Sequence, residues 1–181
     1  MGRLLLRMVI GAFFVGHGTQ KLFGWFGGKG AKATGEIFES AALGPGERNA
    51  RAAGAAETTG GMLLASGLFT PLAAAELSTV MFTAIRTVHW RNGAWNEKGG
   101  VEYPAVLLAA LFALTDVGPG RLSLDAARGR SRHGLGWAFG QLAAGALASH
   151  LVVTSGRRTA EDAQPVSAFP ERVEEAERRA A

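Results

Sequence analysis

Apolar residues gather into five long runs separated by polar or glycine-rich stretches, and the runs carry too few charges for the amphipathic helices of an ordinary soluble domain. A first helix is predicted over residues 4–24. Arg3 and Arg7 at its start would suit the basic region of a secretory signal, but no small-residue cleavage site follows. The run instead passes through His17, Gln20 and Lys21 into Leu22, Phe23, Trp25 and Phe26, bulky residues that suit a membrane interface. It reads as a retained first membrane helix. Residues 27–49 are rich in glycine and charge and read as a loop, with one short amphipathic stretch, Glu36-Ile37-Phe38-Glu39, on the membrane surface.

A second helix is predicted over residues 50–69, and Thr70-Pro71 breaks the chain before a third over 72–90. Every residue between Glu57 and Glu76 is uncharged. Asn92-Gly93 and Gly99-Gly100 mark a polar loop over 91–100, a fourth helix follows over 101–117, and Gly118-Pro119-Gly120 ends it. A short segment then leads to the basic cluster Arg128, Arg130 and Arg132. Residues 135–154 contain no Asp, Glu, Lys or Arg and have about the length of a membrane span. Past Arg157 the composition turns polar, and a charged tail runs to residue 181 with helical character near 170–179.

A length of 181 residues suits one domain. The absence of cysteine excludes a disulfide framework, a thiolate metal site, a cysteine nucleophile and a dithiol relay. Only 19% of residues are charged while 26 are glycine, a combination that suits closely packed membrane helices. The formal net charge of +4 does not indicate nucleic acid, because the basic residues are scattered at segment ends without interleaved aromatics. Orientation stays open: Lys29, Lys32, Arg48 and Arg51 lie in the first loop and Arg121, Arg128, Arg130 and Arg132 in the fourth, on opposite sides of five spans.

Ionisable residues at mid-helix cost about 2.5–3.5 kcal/mol each on the insertion scale, so their positions carry information. On the first helix Arg7, Gly11, Gly18 and Lys21 fall in an arc of about 80°, with His17 at its edge. Gly54, Glu57 and Gly61 share a face of the second, and Glu76, Thr79, Thr83, Arg86 and Trp90 a stripe of the third. The economical arrangement is an internal network in which Arg7, Lys21 or Arg86 meets Glu57 or Glu76. The alternative is snorkelling of these side chains to the headgroups. His17 and Lys21, at i and i+4, point to a cavity near one membrane surface, completed by Glu57 and by the loop bearing Trp95, Glu102 and Tyr103; a histidine merely satisfied within the bundle is the competing reading. The competing reading of Glu102 and Tyr103 is a first-turn acid and an interfacial anchor. No HxxxH or HExxH pair occurs, so no metal site is expected. A phosphate loop fails at Phe23 and Gly30, where glycine and a hydroxyl residue are required.

Read in order, Arg7, Gly11, Gly16-His17-Gly18-Thr19-Gln20-Lys21-Leu22-Phe23, Glu57, Gly60-Gly61 and Gly67 resemble the DoxX family of small bacterial membrane proteins. Pro71, Gly99-Gly100-Val101-Glu102-Tyr103-Pro104 and Gly118-Pro119-Gly120-Arg121-Leu122-Ser123-Leu124-Asp125 agree with the family's later landmarks. The resemblance implies an all-α fold, an integral membrane helical bundle with a four-helix core over 1–125 in the prokaryotic cytoplasmic membrane. To this the sequence adds a basic connector and a fifth C-terminal membrane helix over 126–156 and the polar tail over 157–181.

Family members are linked to thiosulfate oxidation by quinone and to membrane oxidoreductase assemblies. The expectation is therefore a subunit of such a system, without a covalently bound cofactor, that receives a quinone headgroup or a small anion in the bundle. His17, Lys21, Glu57, Arg86, Glu102 and Tyr103 are the candidate binding residues. The lipid bilayer, redox-enzyme partners and further copies of the chain are the candidate partners, with no role for nucleic acid. A noncatalytic scaffold for soluble redox enzymes and a small-molecule transporter are the competing functions.

Overall fold

A computed structural model describes residues 1–163, and those residues form helices and turns without a strand. Helix α1 (Gly2–Phe23) stops at Gly24, whose left-handed conformation turns its N–H back to Gln20 O at 3.2 Å. The expected loop over 27–49 holds a helix, α2 (Gly30–Ser40). Glycine and charge hid it, yet its Gly35 lies directly against the Glu47 backbone, where a Cβ would stand 2.6 Å from Glu47 N. Tertiary contact thus fixes a segment of poor intrinsic helix propensity.

Helix α3 (Gly46–Ser66) begins right after Pro45 and ends at Gly67 in a Schellman motif, with Gly67 N bonded to Leu64 O and Leu68 N to Leu63 O. It therefore ends before residue 69, the expected limit. Helix α4 (Thr70–Ala84) winds on through a π-helical turn over Ile85–His89 and a tighter turn over Trp90–Asn92, so the expected segment 72–90 is helical with changed winding at its end. Helix α5 (Glu102–Val117) follows, then a single turn, α6 (Leu124–Ala127), and the long α7 (Leu135–Asp162). Helix α7 carries the fifth apolar run past residue 154, through Arg157 and Arg158. The helical stretch expected near 170–179 lies outside the described residues.

Helices α1, α3, α4 and α5 share one core, built from Ile10 and Phe14, Leu64, Ala73, Ala74 and Leu77, and Leu111 and Leu114. Helix α2 packs on α3 and α1, while α7 covers α4 and α5. The four-helix core with an added fifth helix is thus present as an arrangement of long helices. Five equally apolar spans are not. Among the described residues only α7 is both long and apolar enough to cross a membrane by length and composition. The 16 residues of α5 fall short of the roughly 20 that a span needs, and α4 reaches that length only with its π-helical and tighter end turns, which carry Arg86, His89 and Arg91. Helices α1 and α3 have the length but carry Arg3, Arg7 and Lys21, or Arg48, Arg51 and Glu57.

Candidate functional site: the α1–α3 face

Helices α1 and α3 approach backbone to backbone because glycines face each other across the contact. A Cβ on Gly11 would stand 2.6 Å from Gly61 O, and one on Gly18 would stand 2.6 Å from Gly54 O. Small residues allow such approach where van der Waals packing and interhelical hydrogen bonds must hold helices together. On the inward side of this contact Lys21 Nζ donates to both oxygens of Glu57, at 2.6 Å to Oε2 and 2.9 Å to Oε1. The carboxylate is buried, whereas the Lys21 side chain retains 24% exposure. A buried charge of this kind is tolerated because its partner is held in hydrogen-bond geometry.

The expected internal network shrinks to that one pair. Arg7 is fully buried, yet it meets neither Glu57 nor Glu76: its Nη2 donates to Leu122 O at 2.6 Å, in the loop before α6. The guanidinium occupies the hollow beside Gly67, a position in the left-handed region where any side chain would collide with it. Glu76 accepts a hydrogen bond from Thr59 Oγ1 at 2.9 Å. Arg86, exposed on the π-helical turn, makes no ion pair among the described residues.

On the outward side of the α1–α3 contact runs an open groove of about 840 Å³. Met8, Phe13, Val15 and Met62 give it an apolar wall, with Gly16 and Ala65 as its small positions. Ser66 lines one end, where its hydroxyl donates to Leu63 O at 3.0 Å. His17, Gln20 and Phe26 line the other. His17 Nδ1 lies 3.1 Å from Gln20 Oε1. That oxygen only accepts, so the bond places the proton on Nδ1 and leaves Nε2 free to act.

The six candidate residues are therefore divided. Lys21 and Glu57 pair beneath the helix contact, and His17 stands on the groove one turn before Lys21. Glu102 accepts from Asn96 N at 2.9 Å and so closes its own loop, and Tyr103 and Trp95 are exposed. Neither the loop residues nor the Lys21–Glu57 pair line the groove. The expectation that the loop folds back to complete a cavity with His17 is thus corrected: hydrogen bonds of Val101 N to Gly93 O and Glu102 N to Ala94 O hold that loop to itself. Gln20 is the site residue missing from the sequence reading. Its spacing of three from His17 on one helix was the available signal.

The family model described as DoxX matches residues 2–90. Over that stretch the chain belongs to the DoxX family. The match covers α1 through the turn that ends α4, and so both walls of the groove and both members of the ion pair. It stops before the loop and closing landmarks at 99–104 and 118–125. DoxX proteins are associated with membranes, in keeping with the apolar α7. No curated protein and no solved structure matches the chain.

Proposed function

We propose that this DoxX protein is a multi-pass subunit of a membrane-associated oxidoreductase system in the prokaryotic cytoplasmic membrane, and that its α1–α3 groove receives a quinone from the lipid side. The observation that carries this reading is the polarity of the groove: apolar along its length, with His17 and Gln20 grouped at one end. A quinone has the matching chemistry, a flat apolar ring with two carbonyl acceptors and an isoprenoid chain. The groove would hold the chain, and the His17–Gln20 end would take the headgroup. Reduction to the hydroquinone takes two electrons and two protons: as imidazolium, His17 passes one proton from Nε2 to a quinone carbonyl, and water supplies the second and reprotonates the imidazole. The chain has no cysteine, so electrons arrive from a partner enzyme or a small-molecule donor such as thiosulfate.

A Cβ added at Gly16 meets nothing within 4 Å, so Gly16→Phe places a ring in the groove without disturbing helix packing. Binding of a short-chain quinone to the purified protein should weaken at least tenfold in Gly16→Phe. Quinone reduction, assayed with a panel of donors, should fall about 10²-fold in His17→Ala. Wild-type binding and turnover per folded molecule in both variants would remove the groove from the mechanism. Capture of redox enzymes without turnover would favour the scaffold, and substrate uptake into proteoliposomes the transporter. Resistance to alkaline carbonate extraction checks membrane insertion, and quantitative release as a soluble monomer would end that part of the reading.

A further inference from the structure

The two ends of the bundle differ in exposed charge. One end joins the starts of α1, α4 and α7 to the close of α5 and the short α6. There Arg3 Nη1 donates to Val117 O at 2.7 Å, and Gly134 N donates to Asp116 O at 2.9 Å. Residues 117–134 at this end contain four arginines, Arg121, Arg128, Arg130 and Arg132, all exposed, and one acid, Asp125. Asp125 is buried, and its carboxylate is fully engaged as a cap on α4: it accepts from Phe69 N at 2.9 Å, Thr70 N at 3.0 Å and Thr70 Oγ1 at 2.9 Å. The exposed charge of the segment is thus positive, beside one half-buried acid, Asp116, in the last turn of α5. At the opposite end Lys29, Lys32, Arg48 and Arg51 stand among Glu36, Glu39 and Glu47, so the two signs are mixed.

Apolar groups are interleaved with these arginines. The Arg128 guanidinium lies 5.6 Å from the centre of the exposed Phe69 ring, and Arg132 lies 5.2 Å from Trp137. Leu122 and Leu124 are exposed on the same segment. Trp137 belongs to the first turn of α7, the helix whose length and composition suit a bilayer, so these rings fall where a span meets water. Contact with the rings leaves each guanidinium an edge of in-plane N–H donors that matches a phosphate.

We propose that the α6 end of the bundle is a docking surface for anionic phospholipid headgroups, with Arg128 and Arg132 as its phosphate clamps. The proposal rests on the reading that the bundle spans the bilayer. The interleaved aromatics and leucines select a lipid surface over an acidic soluble protein, since they would enter the acyl boundary beside the headgroups.

The test uses the full chain reconstituted in vesicles of phosphatidylcholine with a minor share of phosphatidylglycerol, and reads the lipids that stay on the protein by native mass spectrometry. Wild type should retain phosphatidylglycerol with a several-fold preference over its share of the vesicle. R128Q/R132Q should bring that preference close to parity, R128K/R132K should keep most of it, and K29Q/K32Q at the opposite end should leave it unchanged. A wild type without preference, or a preference that survives in R128Q/R132Q, overturns the proposal. So does one lost equally in K29Q/K32Q. An acidic protein that is retained in its place, with no lipid preference, would overturn it in favour of a protein partner. Carbonate extraction of the same vesicles separates the two layers of the argument: a released protein ends the spanning reading, whereas one that stays embedded without lipid preference ends only this proposal.

Discussion

Two helix interfaces in this bundle are closed by different means. Helices α1 and α3 meet by leaving side chains out, with Gly11 against Gly61 and Gly18 against Gly54, and add one buried ion pair. Helices α4 and α7 bring a single glycine, Gly145, to the α4 backbone and rely besides on side-chain hydrogen bonds, Ser78 Oγ to Gln141 Oε1 at 2.8 Å and Thr83 Oγ1 to Ser149 Oγ at 3.0 Å. A Cβ at Gly11 or Gly18 would stand 2.6 Å from a backbone oxygen that cannot step aside, whereas at Gly145 the α4 backbone is 3.1 Å or more away. The first interface is therefore the more intolerant of change. It lies wholly within the stretch matched by the family model, whereas α7 lies beyond it. The close approach also shapes the groove, since Gly11 and Gly16 are among the small positions on its wall.

The widest separation between the interfaces should come from volume. Gly18→Leu drives a side chain into Gly54 O and Thr58, and folded protein should be lost altogether. Gly145→Ala at the other interface meets Ser78 Cβ at 2.8 Å and the Thr79 and Ala75 backbone at 3.1 and 3.2 Å, and should cost about 1–3 kcal/mol. Thermal melts of detergent-purified protein compare the two, and a Gly18→Leu variant that melts like its parent would contradict backbone contact.

Charge comes next. Glu57→Gln leaves Lys21 without its counterion and should destabilise by about 3–5 kcal/mol. Lys21→Met combined with Glu57→Leu removes both charges and should recover most of that loss. If the double variant is as unstable as the single one, desolvation of the pair is not what governs this side of the interface.

The hydrogen bonds at α4–α7 should matter less. Ser78→Ala strands Gln141 Oε1 and should cost about 1 kcal/mol, and adding Gln141→Leu should return part of it, because a matched apolar pair leaves nothing unpaired. Among the described residues Gln141 Nε2 has no hydrogen-bond partner, which lowers the cost of losing the amide. A loss that grows in the double variant would show that the amide holds α7 in place. The smallest stability change belongs to His17→Ala, within about 0.5 kcal/mol, because the ring is exposed on the groove. A larger drop in melting temperature would make His17 a structural residue of α1–α3 and weaken its assignment to quinone.

The five long helices were legible because apolar runs and their breaks are local signals. Gly67 and Thr70-Pro71 end one helix and start the next wherever the chain goes afterwards. Helix α2 was not legible, since its stability comes from Gly35 seated on the Glu47 backbone and not from its own sequence. In the candidate site, the pairing of Lys21 with Glu57 was among the arrangements that the helix faces allowed. The groove was not visible, because it is made by two helices that lie 40 or more residues apart in sequence at the positions that line it.

By itself the sequence determined the helical class, the absence of thiol chemistry, the DoxX membership over residues 2–90 and the polar face of α1. Periodicity states which residues share a face, but it does not state which neighbour that face meets. Only tertiary structure decided that Lys21 meets Glu57, that Arg7 reaches Leu122 O across the bundle, and that Asp125 caps α4 from the short α6. Each of these bonds joins groups at least 36 positions apart in the chain. Their selection depends on how glycines set the spacing between helices, a property of packed pairs that no single segment contains.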